Sequence, residues 1–303
     1  LFLNGATGEQ VYEKFPVVLA MSTYADGGSY DPLQAWKDFD YVLKAPTDSA
    51  AAATAMSTGR KTYNAAIGVG VDQQPLRHAF EQAENLGKST GVVTSVQFSH
   101  ATPAGFVAHN ISRNNYSEIA QEMIMKSRTD VIMGCGHPLY DNNGGQKIGG
   151  LDYQYVGGQS TWKELLNGVA GGDADGDGKK DPWSLIETRR QFQELISSAT
   201  PPLRVIGIPQ VGNTLQQSRR GDGNALPFSV PMTETVPTLA EMTLGALNVL
   251  RKNPQGFCLM IEGGAIDWAS HGHQSGRMIE EQVRFGKAVE AVVNWVDQND
   301  GWS

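Results

Sequence analysis

The sequence lacks a long hydrophobic run, has few cysteines and carries no excess of positive charge. Within its 303 residues, no apolar stretch approaches the roughly 20 residues that a membrane-spanning helix requires, so we expect no membrane span. The formal net charge of −8 argues against a nucleic-acid-binding surface and gives anions no general attraction, so an anion site must be local. The two cysteines, Cys135 and Cys258, provide no disulfide framework and leave the cellular compartment open.

Strand-like and helix-like runs alternate along the chain. The strand-like runs lie near 16–23, 90–96, 130–134, 203–208 and 256–261, and the helix-like runs near 76–86, 115–127, 183–199, 237–252 and 277–298. A chain of this length with 40% hydrophobic residues can bury a sizeable core. The alternation predicts a single α/β domain over residues 1–303. We expect a doubly wound, mostly parallel sheet with helices on both faces.

An alanine-rich segment at residues 47–62 reads TDSAAAATAMSTGRKT. It places Ser49 where a loop enters a helix, beside the unpaired backbone N–H groups and the positive dipole end that favour an anion. Asp48 can cap that helix or orient a cationic neighbour. The alternative is a capped alanine-rich helix that belongs only to the core.

A second polar segment, residues 262–271, reads EGGAIDWASH and follows an apolar run at 256–261. The apolar run predicts a buried strand, so the polar residues emerge at its carboxyl end, where open α/β sheets place their sites. Asp267 and His271 are spaced i, i+4 on one face of a helical turn, and an oxygen with an imidazole suits zinc. Glu262 suits a harder ion such as magnesium. Alternatively, Glu262 caps a helix and His271 lies on the surface.

Residues 99–113 read SHATPAGFVAHNISR. Together with D-S-A-x-x-A-T-A followed by T-G-x-K-T, and with E-G-x-x-I-D-x-x-x-H, this segment resembles the alkaline phosphatase family. The resemblance implies that Ser49 is a nucleophile that becomes transiently phosphorylated, and that Arg113 grips the substrate phosphate. A guanidinium presents a planar, permanently charged fork that holds two phosphate oxygens. A solvated surface arginine is the alternative for Arg113.

The resemblance also implies a set of metal ligands. Asp267 and His271 would hold one zinc, Ser49 would contact a second, and Glu262, Thr102 and His100 would hold a magnesium. A serine hydroxyl is a poor nucleophile at its free pKa, and two metal ions about 3.5–4 Å apart can activate it and hold the phosphate. Family members carry Asp or His at the position of His100, so the ion at the third site stays open. We interpret His109 as a packing or hydrogen-bonding residue.

Two parts of the family's pattern are not found in this sequence. One is a G-D-G-M-G turn whose Asp bridges the second zinc and the magnesium, and the other is an A-D-H ligand pair followed later by a further His. Without these two parts, the first zinc would have only Asp267 and His271 as ligands, and the second would have only Ser49. A catalytic zinc normally has three protein ligands. We therefore expect a natural protein that is longer at both ends, or missing segments supplied by another chain. Alternatively, a stand-alone chain could recruit His273 or His137 as replacement ligands.

Residues 134–182 are rich in Gly and Asp with weak periodicity, which predicts a loop-rich insertion. Within it, residues 173–181 read DADGDGKKD, with carboxylates at alternate positions and a Gly at the bend, as a calcium loop requires. The candidate calcium residues are Asp173, Asp175, Asp177, Lys179 and Asp181. The expected bidentate acid at position twelve is replaced by Ser184, and Glu187 is the next acid. An acidic solvated turn is the alternative.

These features predict a zinc- and magnesium-dependent hydrolase that acts on phosphate monoesters through a phosphoserine and releases inorganic phosphate. Phosphodiesterase or sulfatase relatives share the two-metal core, but they commonly use Thr or a modified Cys as nucleophile. The non-enzymatic alternative is a calcium-stabilised binding fragment without catalysis. A calcium loop and phosphate scavenging predict a periplasmic or secreted protein, and the resemblance implies a homodimer.

Overall fold

The helices and strands alternate along most of the chain in a computed structural model, which describes residues 10–19, 21–299 and 301. The strands are β1 (Ser89–Gln97), β2 (Val131–Cys135), β3 (Ser184–Ile186), β4 (Val205–Gly207) and β5 (Phe257–Glu262). The helices are α1 (Pro32–Lys37), α2 (Ser49–Thr58), α3 (Ala79–Asn85), α4 (Ala101–Ala104), α5 (Tyr116–Met125), α6 (Gly158–Leu166), α7 (Arg189–Ser197), α8 (Leu239–Leu250), α9 (Ala265–His271) and α10 (Ser275–Gln298). Short 3-10 turns lie at Val11–Lys14 and Gln154–Val156.

The five strands form one sheet in the order β3-β4-β2-β1-β5. Every neighbouring pair is parallel, so the carboxyl ends of all five strands lie at the same edge. β1 pairs with β2 on one side and with β5 on the other. The segments that leave β1 and β5 therefore emerge side by side, which is the crevice where open α/β sheets bind ligands.

Both faces of the sheet are covered by helices. Successive strand residues point to opposite faces, so Val92 packs into one hydrophobic cluster and Val93 into the other. The first cluster contains residues of α3, α4, α5 and α6, and the second contains residues of α7, α8 and α10. This arrangement confirms the predicted doubly wound α/β fold.

The predicted helix at 183–199 is wrong in its first part. Residues Ser184–Ile186 form β3, which pairs parallel to β4, and the helix begins only after Thr188. There the Thr188 hydroxyl accepts a hydrogen bond from the Gln191 N–H at 3.4 Å, and the Gln191 side chain accepts one from the Thr188 N–H at 2.9 Å. This reciprocal capping fixes the start of α7. The predicted helix at 183–199 therefore combined a short strand with the helix that follows it in the sequence.

The strand predicted at 16–23 is also wrong for the residues that the structure describes there; residue 20 lies outside them. Residues 16–19 and 21–23 form no strand, and Val17, Val18 and Leu19 are 69%, 71% and 85% exposed. An apolar, β-branched run favours a strand only where a neighbouring strand offers its backbone groups. No described strand lies beside this segment.

The region predicted as a loop-rich insertion contains a helix that the weak periodicity did not indicate. α6 lies within it, and Trp162 and Leu165 of α6 are 2% exposed in the core. The segment between β2 and β3 thus contributes to the packing of one sheet face. None of the described helices is sufficiently long and apolar to cross a lipid bilayer.

Candidate active site

Ser49 is the first residue of α2, as the sequence predicts. The Asp48 carboxylate oxygen Oδ1 accepts a hydrogen bond from the Ala51 N–H at 2.9 Å and caps the helix. Ala50 and Ala53 are fully buried and fix the helix against the core, while Ser49 lines a cavity. Among the described residues, none forms a hydrogen bond with the Ser49 hydroxyl. The hydroxyl is therefore available to a ligand beside the N–H groups of the first helical turn.

Arg113 is held next to Ser49 by Asp48. The second carboxylate oxygen of Asp48 accepts hydrogen bonds from Arg113 Nη1 at 3.1 Å and from the Ala65 N–H at 2.9 Å. Ala65 has a φ of 76°, a left-handed conformation that is uncommon for residues other than glycine. Its carbonyl accepts a hydrogen bond from the Arg113 N–H at 2.8 Å. Asp48 thus does both things that the sequence suggested, because it caps α2 and orients a cation.

His100 lies between Arg113 and α9. Its Nε2 is 3.4 Å from Arg113 Nη2, and its ring packs edge-on against Trp268 with centroids 5.4 Å apart. Burial, together with the charge of Arg113, lowers the pKa of His100 to about 4. The imidazole is therefore neutral near pH 7, with a lone pair available to a ligand.

Glu262 ends β5 directly opposite Thr94 of β1. Its Oε2 accepts a hydrogen bond from the Thr94 hydroxyl at 2.6 Å, and the Thr102 hydroxyl also hydrogen-bonds the carboxylate. Burial raises the pKa of Glu262, and the nearby Asp267 acts in the same direction. The parallel pairing of β1 and β5 therefore brings Thr102 and Glu262, 160 positions apart in the numbering, into contact as a group of oxygen donors.

Asp267 and His271 share one face of α9, as their spacing predicts. His271 Nε2 lies 3.4 Å from Asp267 Oδ1, and their side chains are 83% and 59% exposed. Zinc bonds to nitrogen and oxygen of about 2.0–2.2 Å place two tetrahedral ligands about 3.3–3.6 Å apart. The separation and the chemistry of this pair thus fit zinc.

One cavity of about 570 Å³ brings the separate motifs together. It is lined by Asp48, Ser49, His100, Arg113, Asp267 and His271, and also by Pro46, Thr47, Gln217, Ser218 and Trp268. Thr102 and Glu262 are not among the lining residues.

Sequence reasoning missed three polar or aromatic residues in this cavity wall. Trp268 lies between Asp267 and His271 in the segment 262–271. Its position in that motif could have identified it as a residue of the site. Gln217 and Ser218 lie in the irregular segment between β4 and α8, where no pattern marks them. They are held there by hydrogen bonds, because Gln217 donates to the Gln274 side chain at 2.8 Å and Ser218 donates to Gln217 at 2.8 Å.

The two histidines considered as replacement ligands do not line the cavity. His137 is 1% exposed, and its Nε2 lies 2.7 Å from Glu187 Oε1. Glu187, the next acid after the calcium loop, is thus engaged with His137 through Oε1. His273 is exposed and has a φ of 52° at the end of α9.

The candidate calcium loop brings its first three carboxylates together. Donor atoms of Asp173, Asp175 and Asp177 lie within 4.8 Å of one another. Asp181 instead accepts a hydrogen bond from the Ala174 N–H at 2.8 Å, and the Lys179 ammonium pairs with Asp177 at 2.8 Å. Three carboxylates of the predicted set therefore lie close together, and each of them also accepts a backbone N–H of the same loop.

Comparisons with known proteins agree with these motifs. The family model described as alkaline phosphatase matches residues 5–301. Alkaline phosphatase 3 of Bacillus subtilis (strain 168) is 33% identical over 258 residues, which cover 84% of this chain and 46% of that protein. Alkaline phosphatase H of Pseudomonas aeruginosa (strain UCBPP-PA14) is 33% identical over 279 residues, covering 83% of this chain and 53% of that protein. The chain spans about half the length of these relatives.

Solved structures show the same relationship. The cold-active alkaline phosphatase from the psychrophile Shewanella sp. superposes with a TM-score of 0.60 at 30% identity, covering 83% of this chain and 51% of that chain. Alkaline phosphatase from the Antarctic bacterium TAB5 superposes with a TM-score of 0.65 at 24% identity, covering 96% of this chain and 68% of that chain, and supports the fold alone. The family match covers nearly the whole sequence, and the chain therefore belongs to the alkaline phosphatase family.

Proposed function

We propose that the protein hydrolyses phosphate monoesters through a phosphoserine on Ser49 and releases inorganic phosphate. The observation that carries this proposal is the shared cavity of Ser49 and Arg113, in which the guanidinium is held by Asp48 at 3.1 Å. Arg113 and the N-terminal N–H groups of α2 present hydrogen-bond donors and positive charge beside Ser49, although Asp48 and Asp267 also line the cavity. We expect a phosphate dianion to bind against these donors, with the carboxylate charge offset by bound cations.

In this mechanism Arg113 binds two phosphoryl oxygens and presents the phosphorus atom to Ser49. The Ser49 oxygen loses its proton to solvent and forms a bond to phosphorus, while the bond to the ester oxygen breaks and the leaving alcohol takes up a proton. Water then attacks the phosphoserine, which releases phosphate and restores the hydroxyl. Arg113 stays charged throughout and stabilises the negative charge on the equatorial oxygens of both transition states.

We propose that the metal ligands are those that the family resemblance implies. Asp267 and His271 would hold zinc, Ser49 would contact a second zinc, and Glu262, Thr102 and His100 would hold magnesium. The 3.4 Å donor separation of Asp267 and His271 and the Thr102–Glu262 contact support these assignments. When bound, such ions supply Lewis-acid polarisation of phosphoryl oxygens and lower the pKa of a coordinated hydroxyl.

Ser49→Ala tests the nucleophile. With a chromogenic phosphate monoester and added Zn²⁺ and Mg²⁺, we expect the variant to lose at least about 10³-fold in kcat, and acid-quenched digests to contain phosphoserine at position 49 only in the unmodified protein. Ser160→Ala, an exposed serine of α6, is the matched control and should keep both signals. Turnover in Ser49→Ala, or turnover of the unmodified protein with no phosphoserine, would refute the proposal. No turnover at all would favour the binding-fragment alternative.

Arg113→Ala tests the phosphate clamp. Loss of a bidentate, charge-assisted contact costs about 1.5–3 kcal/mol. We therefore expect the inhibition constant of inorganic phosphate to rise by at least about tenfold. An unchanged inhibition constant would remove Arg113 from the substrate site.

We also propose that Asp173, Asp175 and Asp177 bind Ca²⁺, with the Lys179 backbone carbonyl and the Asp181 carboxylate completing the loop. The clustering of the three carboxylates supports this proposal. Because an ion that binds only the folded state stabilises it, Ca²⁺ should raise the Tm of the unmodified protein by a few degrees and raise that of Asp175→Ala much less. Asp297→Ala, at an exposed acid of α10, should respond like the unmodified protein. No rise in Tm with Ca²⁺ would show that the segment is a solvated acidic turn.

The remaining assignments extend the same proposal. We propose that residues 1–303 form one α/β domain with 134–182 as its insertion, that the protein is a homodimer, and that it acts in the periplasm or after secretion. Calcium is abundant outside the cytosol, which agrees with a calcium loop, and family membership agrees with small phosphate monoesters as substrates. Sedimentation analysis and localisation of the natural protein test these points directly.

A further inference from the structure

One part of the active-site cavity wall has no role in the phosphate and metal chemistry proposed above. Its residues are Pro46, Thr47, Gln217, Ser218 and Trp268. The cavity volume of about 570 Å³ lies within the range of roughly 300–1,000 Å³ that is typical of small-molecule sites, and a phosphoryl group fills only a small part of it. If the protein hydrolyses monoesters as proposed, we expect the alcohol part of the ester to lie against this part of the wall.

Gln217 keeps one amide hydrogen without a partner in this wall. The residue is 8% exposed. Its Nε2 donates a hydrogen bond to Gln274 Oε1 at 2.8 Å, and its Oε1 accepts one from the Ser218 hydroxyl at 2.8 Å. A glutamine amide has two N–H hydrogens, and no described residue accepts the second one. The Gln217 amide can therefore donate one further hydrogen bond to a ligand.

Ser218 offers the complementary group. Its hydroxyl hydrogen is donated to Gln217, and the lone pairs of its oxygen accept no hydrogen bond from a described residue. The two side chains thus present one donor hydrogen and one acceptor oxygen side by side. An alcohol hydroxyl can accept and donate at the same time, so it satisfies both groups. A hydrocarbon group at this place would leave the Gln217 N–H unpaired, which is unfavourable for a buried polar group.

The segment that carries Gln217 is held in place before a ligand binds. The Gln216 side chain exchanges two hydrogen bonds of 3.0 Å with the backbone of Thr233, and the Ser218 N–H donates to the Thr214 hydroxyl at 2.8 Å. The next residue, an arginine that is 5% exposed, pairs with a glutamate of α10 at 2.8 Å. Binding a hydroxyl group therefore requires little ordering of the protein, which favours affinity and selectivity.

The rest of the cavity wall suits a small, uncharged alcohol. Pro46 and Trp268 present apolar surface for its carbon atoms. Arg113 is the only lining residue with a permanent positive charge, and the phosphoryl group engages it. Asp48 and Asp267 also line the cavity, so a second anionic group on the alcohol would meet like charge. The wall therefore favours an alcohol that carries further hydroxyl groups and no charge.

Given the phosphatase function proposed above, we propose that Gln217 and Ser218 bind a hydroxyl group of the leaving alcohol, and that the substrates are phosphate monoesters of small polyols. The Gln217 N–H donates to the hydroxyl oxygen, and the Ser218 oxygen accepts the hydroxyl hydrogen. Both residues determine specificity and do not touch the reacting atoms. The bonds that form and break in hydrolysis are those already described for Ser49.

Two esters of the same chain length test this assignment. Glycerol 3-phosphate carries two hydroxyl groups that n-propyl phosphate lacks, and Gln217→Leu removes the amide while it keeps an apolar side chain of similar size. We expect kcat/KM for glycerol 3-phosphate to fall by about 5–10-fold, as for the loss of one hydrogen bond, and that for propyl phosphate to change by less than about twofold. A purely structural role for Gln217 would lower both values equally, and equal losses would overturn the proposal.

Ser218→Ala gives a second, smaller substitution in case Gln217→Leu does not fold. It removes only a hydroxyl group, and we expect the same selective loss at about 2–5-fold. Gln34→Leu, at an exposed glutamine of α1, is the control and should match the unmodified protein with both esters. If the ratio of the two kcat/KM values is unchanged in folded Ser218→Ala, the proposal is wrong.

Binding without turnover separates this proposal from the proposed function. Titration calorimetry of Ser49→Ala with each ester, in the presence of Zn²⁺ and Mg²⁺, measures the Kd directly. We expect adding Gln217→Leu to raise the Kd of glycerol 3-phosphate by about 5–10-fold and to leave that of propyl phosphate unchanged. This selective rise, in a protein that turns over neither ester, would refute the proposed function alone. Turnover of both esters without a selective rise would refute only this assignment, and failure of both esters to bind would refute both.

Discussion

The two carboxylate oxygens of Asp48 have different partners. Oδ1 caps α2 through the Ala51 N–H, and Oδ2 holds Arg113 and the Ala65 N–H. The side chains of Asp48 and Arg113 are 22% and 19% exposed, so the ion pair is partly shielded from water but open to a ligand. A substitution that removes only the charge of Asp48 can keep the helix cap on the Ala51 N–H while it removes the contact that positions Arg113.

Asp48→Asn is expected to weaken phosphate binding with little loss of stability. Asn is as good a helix cap as Asp, but its NH₂ group cannot accept a hydrogen bond from Arg113. The guanidinium then loses its fixed position, and we expect the inhibition constant of phosphate to rise by about 5–10-fold, with a loss of about 1 kcal/mol in unfolding free energy. Phosphate inhibition and urea denaturation measure the two effects, with the exposed Asp40→Asn as control. A large loss of stability with unchanged inhibition would contradict this prediction.

At the scale of elements, α2 and α4 approach closely through Gly105. A Cβ atom at Gly105 would lie 2.7 Å from the Ala53 Cβ of α2, and the Ser57 hydroxyl donates a hydrogen bond to the Gly105 carbonyl at 2.5 Å. α2 begins with Ser49, and α4 carries Thr102. The contact at Gly105 therefore sets the spacing of two elements that line or support the candidate active site.

Gly105→Ala is expected to destabilise the protein by about 1–3 kcal/mol, because the added methyl group forces two packed helices apart. Gly286→Ala is the matched control, because its Cβ would meet only the end of the Gln10 side chain at 3.3 Å. In the middle of α10 that change should be neutral or stabilising by up to about 1 kcal/mol. Urea denaturation distinguishes the two results, and equal effects of the two substitutions would show that the α2–α4 contact can relax.

For the whole molecule, a buried group of charges joins α10 to the segment after β4. Glu280 Oε2 lies 2.8 Å from Arg219 Nη2 and 3.2 Å from Arg277 Nη1. Glu281 is 4% exposed, and its Oε1 has no hydrogen-bond partner among the described residues. Burial raises the pKa of Glu281 to about 7, although Arg284 and Arg219 act in the opposite direction.

The contribution of Glu281 to the stability is therefore expected to fall as the pH rises from about 4.5 to about 7. The lowered pKa values of His78 and His100 act in the opposite direction over part of this range, so the contribution of Glu281 has to be measured as a difference between variants. Below this range Glu281 is protonated in both the folded and unfolded states. Within it, the folded state keeps a proton that the unfolded chain has lost, so the free energy of unfolding decreases with pH. Above it, the folded state carries a buried charge, at a total cost on the order of 3 kcal/mol.

Glu281→Gln should remove this decrease. Urea denaturation at pH 5 and pH 8 should show that the change in unfolding free energy between the two pH values is more positive for Glu281→Gln than for the unmodified protein. The exposed Glu290→Gln of the same helix should behave like the unmodified protein. If the change between pH 5 and pH 8 is the same in Glu281→Gln and in the unmodified protein, the Glu281 carboxyl does not contribute to it.

The sequence by itself determined the local parts of this protein. Apolar runs marked β1, β2, β4 and β5, alanine content and a capping residue marked α2, and the spacing of Asp267 and His271 put them on one helix face. Each of these depends on residues a few positions apart, so local backbone preferences and periodicity suffice. The motifs also identified the family. A long motif can be matched residue by residue, and this match does not require knowledge of which residues touch in the fold.

Only the tertiary structure decided which parts meet. The placement of β5 beside β1 brings Glu262 to Thr102, and the same folding puts His78 against His109 and Gln217 into the active-site wall. Short half-buried segments such as β3, and the exposed run at 16–19, were misread because a strand exists only where a neighbour pairs with it. Strand order, cavities and buried charges depend on contacts between residues that are far apart in the sequence. The free energy of these contacts comes largely from burial, and a local sequence pattern does not specify which surfaces are buried together.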